Sequence, residues 1–215
     1  MDGNRRYAKS KGLLPLSGHR AGYMKLREVL SWAKEAKVRE VIVYAFSTEN
    51  WQRSTEEVGY LMNLFREVVG HMARDAKAES TRLIFLGERS SLAGDIQDAI
   101  CAAEDMTRAG DQFTLAIALS YGGRKEIIDA IHRIPKGVGE TISEEAFAAL
   151  LWTSALHDPD LIIRTGGEGR LSNFLPWQSV YSELIFTKTL WPDFSKEEFL
   201  DMLKSYSSRD RRMGK

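Results

Sequence analysis

Stretches of helical hydrophobic period alternate with short apolar runs along most of this 215-residue chain, and that alternation restricts the fold more than any other feature. Parallel strands need long crossovers, which helices supply, so the pattern predicts an α/β fold around a largely parallel sheet flanked by helices. Residues 21–36 read as a helix because Tyr23, Leu26, Val29, Leu30 and Ala33 recur at helical spacing while Lys25, Arg27, Glu28 and Lys34 face away. Residues 38–46 read as a buried strand. Ser54 with Glu57 makes a capping-box pattern that opens a helix to about residue 72. Further strands are expected at 82–86, 113–119, 161–163 and 184–186, and further helices at 92–106, 124–134 and 142–152. Ile134-Pro135-Lys136-Gly137 breaks one helix, and Ser195 with Glu198 opens the last, which turns Phe199, Met202 and Leu203 inward. The whole chain, 1–215, is expected to form one domain.

Lys plus Arg and Asp plus Glu each total 30, so no overall basic field favours nucleic acid. A bound anion must instead meet a local cluster of arginines. The single cysteine, Cys101, excludes an internal disulfide and a multi-cysteine zinc site, which fits a reducing cytoplasm. Asp2, Arg5, Arg6, Lys9 and Lys11 do not form a secretory signal, and no apolar run approaches the ~18 residues of a membrane span. A cytoplasmic protein with at most peripheral contact at the inner membrane face is expected.

Polar, glycine-rich segments follow three of the strands: 46–53, 120–124 and 164–170. In open parallel sheets ligands bind beyond the carboxyl ends of the strands, so these segments are expected to converge. Arg53, Arg124, Arg164 and Arg170, with nearby hydroxyls and glycines, suit phosphate oxygens. Asp2 sits among Gly3, Asn4, Arg5 and Arg6, and a second carboxylate, Glu183, enters an apolar strand. A hard cation such as Mg2+ takes one or two carboxylates and completes its shell with water and substrate phosphates, a role open to Asp2 and Glu183. His19 lies at a probable helix start, where free amides favour an anion. The chain has no P-loop, no complete G-x-G-x-x-G, no Asp-Asp pair and no G-x-S-x-G elbow, which weakens nucleotide, dinucleotide, trans-prenyl and hydrolase readings.

Three motifs, Met1-Asp2-Gly3-Asn4-x-Arg6, Phe46-Ser47-x-Glu49-Asn50-Trp51-x-Arg53 and Arg164-Thr165-Gly166-Gly167-Glu168-x-Arg170-x-Ser172-Asn173-Phe174, occur in that order. Together they resemble the signature regions of the cis-prenyltransferase family, over almost the whole chain. The resemblance implies a Mg2+-dependent enzyme that joins isopentenyl diphosphate to an allylic diphosphate, farnesyl diphosphate as the expected primer. Its product would be a Z-polyprenyl diphosphate such as undecaprenyl diphosphate. It implies that Asp2 holds Mg2+ at the allylic diphosphate, with Gly3, Asn4, Arg5, Arg6, Tyr7 and His19 around that leaving group. Arg164, Arg170, Leu171 and Ser172 would hold isopentenyl diphosphate, and Glu183 would complete the metal site, from its own or from the neighbouring subunit of a homodimer. Ser47, Thr48, Glu49, Asn50, Trp51 and Arg53 would shape the reacting centre, Asn50 assisting proton removal, and Arg212-Met213-Gly214 resembles a tail that reaches a diphosphate across the interface.

The resemblance also implies an apolar product tunnel. The helix with Val58, Leu61, Met62, Leu64, Phe65, Val68 and Val69 is apolar over more than one face and could line core, tunnel or both, and Phe113 falls where the family places a bulky residue near the tunnel floor. Two departures stand out. The family has an apolar strand immediately before its M-D-G-N, which this sequence lacks, and Pro15 replaces an arginine four residues before His19, a loss that Lys9, Lys11 or Arg20 could offset. A noncatalytic partner subunit of a prenyltransferase and a short-chain Z-prenyl diphosphate synthase are the alternative readings.

Overall fold

A computed structural model describes residues 1–135 and 141–209. Lys136 and Gly137 of the expected helix breaker and the 212–214 tail lie outside those residues. Strands β1 (Glu40–Ser47), β2 (Thr81–Leu86) and β3 (Phe113–Tyr121) form a parallel sheet in the order β1-β3-β2, while β4 (Leu161–Arg164) pairs in parallel with β5 (Glu183–Phe186). Central strand β3 explains why its sequence is apolar without interruption. Leu115, Ile117 and Leu119 enter the main core, and Ala116 and Ala118 enter a second cluster, so both faces are buried.

Helices α2 (Ser17–Glu35), α3 (Thr55–Ala78), α4 (Gly94–Thr107) and α7 (Lys196–Ser207) send Leu26, Met62, Phe65, Ile96, Ile100 and Phe199 into the main core. Helices α5 (Gly123–His132) and α6 (Glu144–Ala148) share a smaller cluster of Ala130, Phe147 and Leu151. α3 runs past its expected end because Ala73 and Ala76 continue its buried face. The helix expected over 142–152 stops at Ala148. Buried Glu126 draws off the backbone beyond it, accepting from the Thr153 amide at 3.1 Å, from Tyr121 Oη at 2.6 Å and from Gln178 Nε2 at 3.1 Å.

One helix was not expected: α1, Asn4–Ser10. It is too short to stand alone, and packing against α2 supplies its stability. Gly18 and Gly22 allow the contact. A Cβ on Gly18 would lie 2.0 Å from the Asn4 carbonyl oxygen, and one on Gly22 2.4 Å from Asn4 Oδ1.

β1 and β4 are edge strands, and both line one cleft of about 1270 Å³. A smaller apolar pocket of about 120 Å³ lies beside it, bounded by α2, α3, β1 and β3. Leu61, Met62, Leu64, Phe65 and Val68 line this pocket, and Val58 and Val69 do not. Phe113 lines neither cavity. It begins β3, buried in the core with the Lys34 amine 5.0 Å from its ring. No helix among the described residues is long and apolar enough to cross a membrane.

Gly18→Ala should force α1 away from α2 and cost about 1–3 kcal/mol, the usual range for overpacking. Urea denaturation measures this; an unchanged midpoint would show that the helices do not need this close approach.

Candidate active site

The strands' carboxyl ends deliver three loops to one side of the molecule. β1 runs into a 3-10 turn, Thr48–Gln52, β3 into Gly122-Gly123, and β4 into Thr165-Gly166-Gly167. The chain ahead of α1 is fastened to the third loop. The Asp2 amide donates to Thr165 Oγ1 at 3.0 Å, and the Thr165 hydroxyl and the Trp191 amide both donate to the Asp2 carbonyl, each at 3.0 Å. Gly166 has φ +91°, and a Cβ there would lie 2.7 Å from an Arg6 nitrogen and 3.1 Å from the Asp2 carboxyl carbon. Only glycine permits that approach.

The Asp2 carboxylate lies between two guanidinium groups. Arg164 donates to Oδ2 at 3.0 Å, Arg6 donates to Oδ1 at 3.3 Å, and Arg6 also donates to the Gly166 carbonyl at 2.8 Å. Arg164 also donates to Ser172 Oγ at 2.7 Å and to the Arg170 carbonyl, which ties the 170–172 loop to the same centre. Burial alone would raise the Asp2 pKa. The Arg164 hydrogen bond and charge, the Arg6 charge and the Gly3 amide outweigh it and hold the carboxyl below its ordinary value.

A second buried carboxylate stands close by, and the sequence reading did not place it at the site. Glu57 Oε1 accepts from Arg53 at 2.7 Å and lies 3.3 Å from His19 Nε2, while Oε2 accepts from Arg5 at 3.0 Å. The expected capping box is therefore only half formed: the Glu57 amide donates to Ser54 Oγ at 3.3 Å, but its carboxylate is turned toward two guanidinium groups and an imidazole. The available signal was Arg53, a cation four residues earlier in the segment that leads into α3.

Ser47 and Asn50 cap the 3-10 turn reciprocally, the Ser47 amide donating to Asn50 Oδ1 at 3.1 Å. The Asn50 Nδ2 group is thereby the end left to donate. Glu49 accepts from Asn173 Nδ2 at 2.9 Å; burial would raise its pKa, but that bond and its other hydrogen bonds lower it overall. Asn173 itself has φ +67°, within a tight loop where Ser172 has φ +50°.

Thirteen expected site residues line the cleft: Asp2, Gly3, Asn4, Arg5, Arg6, His19, Ser47, Glu49, Asn50, Arg53, Arg164, Leu171 and Ser172. Five do not. Tyr7 stacks beneath the Lys11 amine, Thr48 packs against Gly122, and Arg170 pairs with Glu168. Trp51 donates from Nε1 to Ser120 Oγ at 2.9 Å and packs edge-on against Phe46, so it anchors the turn from behind. Glu183 pairs in register with Leu161 and forms an ion pair with Arg209. Asp2 meets the other end of β4, at Thr165 and at Arg164, which is three register positions from the Leu161–Glu183 pair. One chain therefore does not bring the expected metal pair together, and the described residues hold no cluster of three metal-ligating side chains. Arg124 lines no part of the cleft, and Arg20 is bound to Glu67 at 2.6 and 3.1 Å on the surface.

The undecaprenyl diphosphate synthase family model matches residues 1–214. This chain belongs to the cis-prenyltransferase family. An isoprenyl transferase of Thermotoga maritima is 44% identical, over 100% of this chain and 94% of its own. A geranylgeranyl-diphosphate-specific tritrans,polycis-undecaprenyl-diphosphate synthase of Thermococcus kodakarensis is 43% identical, over 100% of this chain and 84% of its own. The crystal structure of lavandulyl diphosphate synthase from Lavandula x intermedia, with dimethylallyl diphosphate, superposes with a TM-score of 0.95. It is 33% identical, over 100% of this chain and 95% of that one. Prenyl transfer is accordingly the reaction class of this cis-prenyltransferase.

Because Arg164 is the main force lowering the Asp2 pKa, Arg164→Ala should raise it, read from the Asp2 carboxyl carbon in an NMR titration. The pair stabilises the fold above the unfolded Asp value of about 3.9, and that contribution is lost as pH falls through the lower folded value. An unmoved Asp2 titration would remove Arg164 as the cause.

Proposed function

We propose that this cis-prenyltransferase joins isopentenyl diphosphate to an allylic diphosphate, with farnesyl diphosphate as primer, and releases a Z-polyprenyl diphosphate. The observation that carries the reading is the Asp2 carboxylate held by Arg164 and Arg6 in a cleft with further cationic groups on either side of it. On one side Arg164, Leu171 and Ser172 would receive isopentenyl diphosphate. On the other, Gly3, Asn4, Arg5, Arg6 and His19 would receive the allylic diphosphate.

The allylic C–O bond breaks and diphosphate leaves with the electron pair. The alkene of isopentenyl diphosphate forms the new C–C bond, and a proton lost from that unit passes to a phosphate oxygen. Preset arginines stabilise the developing negative charge, and fixing both substrates in one cleft removes much of the entropic cost. Asn50 would donate from Nδ2 to hold a phosphate oxygen near the proton, since its Oδ1 already accepts from Ser47. The donor set fits Mg2+ if diphosphate oxygens and water complete its shell, with Asp2 the cleft's own carboxylate for it. When bound, Mg2+ supplies charge neutralisation to the departing diphosphate. Glu183 of a second copy would add its carboxylate, which makes a homodimer the working unit.

A short-chain product is the second reading, favoured by the apolar pocket of only about 120 Å³. Incubation with labelled isopentenyl diphosphate, Mg2+ and dimethylallyl, farnesyl or geranylgeranyl diphosphate separates these readings by product length on thin-layer chromatography. Asp2→Ala should lower kcat by about 10²–10³, as expected for a lost transition-state charge partner. No elongation from any primer by the wild-type chain would sink the proposal. Mixing and refolding inactive Asp2→Ala and Glu183→Ala chains should restore activity, because one site of the mixed dimer then has both carboxylates. No restoration would place Glu183 outside the partner's site.

A further inference from the structure

We propose that Glu57 is a positioning residue for the allylic side of the cleft, holding Arg5, His19 and Arg53 from behind so that a diphosphate meets cations already in place. The inference rests on the diphosphate reading above and adds to it a residue that touches no substrate. Arg5, His19 and Arg53 line the cleft, whereas Glu57 lines neither cavity and its side chain is only 8% exposed. The three side chains come from α1, α2 and the segment between the 3-10 turn and α3. A single carboxylate thus ties together four pieces of chain that the sequence separates by as many as 52 positions.

The charge balance supports a positioning role over a simple ion pair. Two guanidinium groups and an imidazole face one carboxylate, so the cluster keeps surplus positive charge on the side that opens to the cleft. Each arginine contacts Glu57 through NH1 alone, which leaves most of its five donors for another partner. Without the carboxylate the two guanidinium groups repel one another and favour solvent, and the His19 imidazole loses its partner. A purely local helix cap would not need to be buried or to recruit partners from α1 and α2. His19 reports the arrangement: burial lowers its pKa, Glu57 pushes it back up, and Arg53 and Arg5 lower it further, while Tyr60 is the neighbouring ring at 6.5 Å.

The test compares Glu57→Gln and Glu57→Asp with the wild-type dimer. Glu57→Gln should raise KM for the allylic diphosphate and weaken inorganic pyrophosphate binding by about 10-fold to 100-fold, the scale of a disturbed charged hydrogen bond. KM for isopentenyl diphosphate should change far less, the His19 NMR titration should move to lower pH, and Glu57→Asp should recover part of each effect. Wild-type values in Glu57→Gln would overturn the inference, as would equal losses for both substrates with an unmoved His19 titration. If Glu57→Gln does not fold, Glu57→Asp carries the same comparison: wild-type KM values in it, with His19 unmoved, overturn the inference. A wild-type protein that binds no diphosphate overturns the functional reading itself, which distinguishes the two failures.

Discussion

The attachment of Asp2 to the end of β4 is the contact on which the site depends. Its amide and carbonyl are fixed by Thr165 and Trp191, and its carboxylate by Arg164 and Arg6. Those to Thr165, Trp191 and Arg164 join Asp2 to residues more than 160 positions later. Each is modest alone, because folding exchanges them for bonds to water. Their combination leaves Asp2 one position, and α1 then carries Arg5 toward Glu57. The same bonds explain Gly166, since any side chain there would occupy the space taken by Arg6 and Asp2.

Around that attachment the site is built from two carboxylates, each facing several cations. Asp2 stands in the cleft between Arg164 and Arg6, half-exposed and available to a ligand. Glu57 stands behind Arg5, His19 and Arg53, buried and fully occupied. Both neutralise part of the positive charge and leave a surplus toward the cleft. Such a surface attracts a diphosphate without the mutual repulsion that an unbalanced arginine cluster would suffer. The chain's equal totals of acidic and basic residues conceal this local asymmetry.

Much of this was legible in the sequence. Helical and strand periods located the strands and the long helices, because period 2 and period 3.6 are local properties of the chain. The motifs marked most of the cleft, since loops after parallel strands must meet at one end of a sheet. The misreadings share a cause. Glu57 looked like a helix cap and is a charge centre, Trp51 looked like a cleft residue and anchors to Ser120, and Phe113 looked like a tunnel floor and lies in the core. In each case the local pattern was compatible with two roles, and a partner distant in sequence chose between them.

The sequence by itself determined the alternation of elements, the family membership implied by its motifs, and the residue types able to bind diphosphate. The tertiary structure decided which of those groups share a cleft and which are held behind it. It also separated Glu183 from Asp2 within one chain, because the two meet opposite ends of the β4-β5 pair. The physical reason is that strand and helix periods arise between near neighbours, whereas the orientation of a carboxylate depends on which cations the packed chain brings within hydrogen-bond reach.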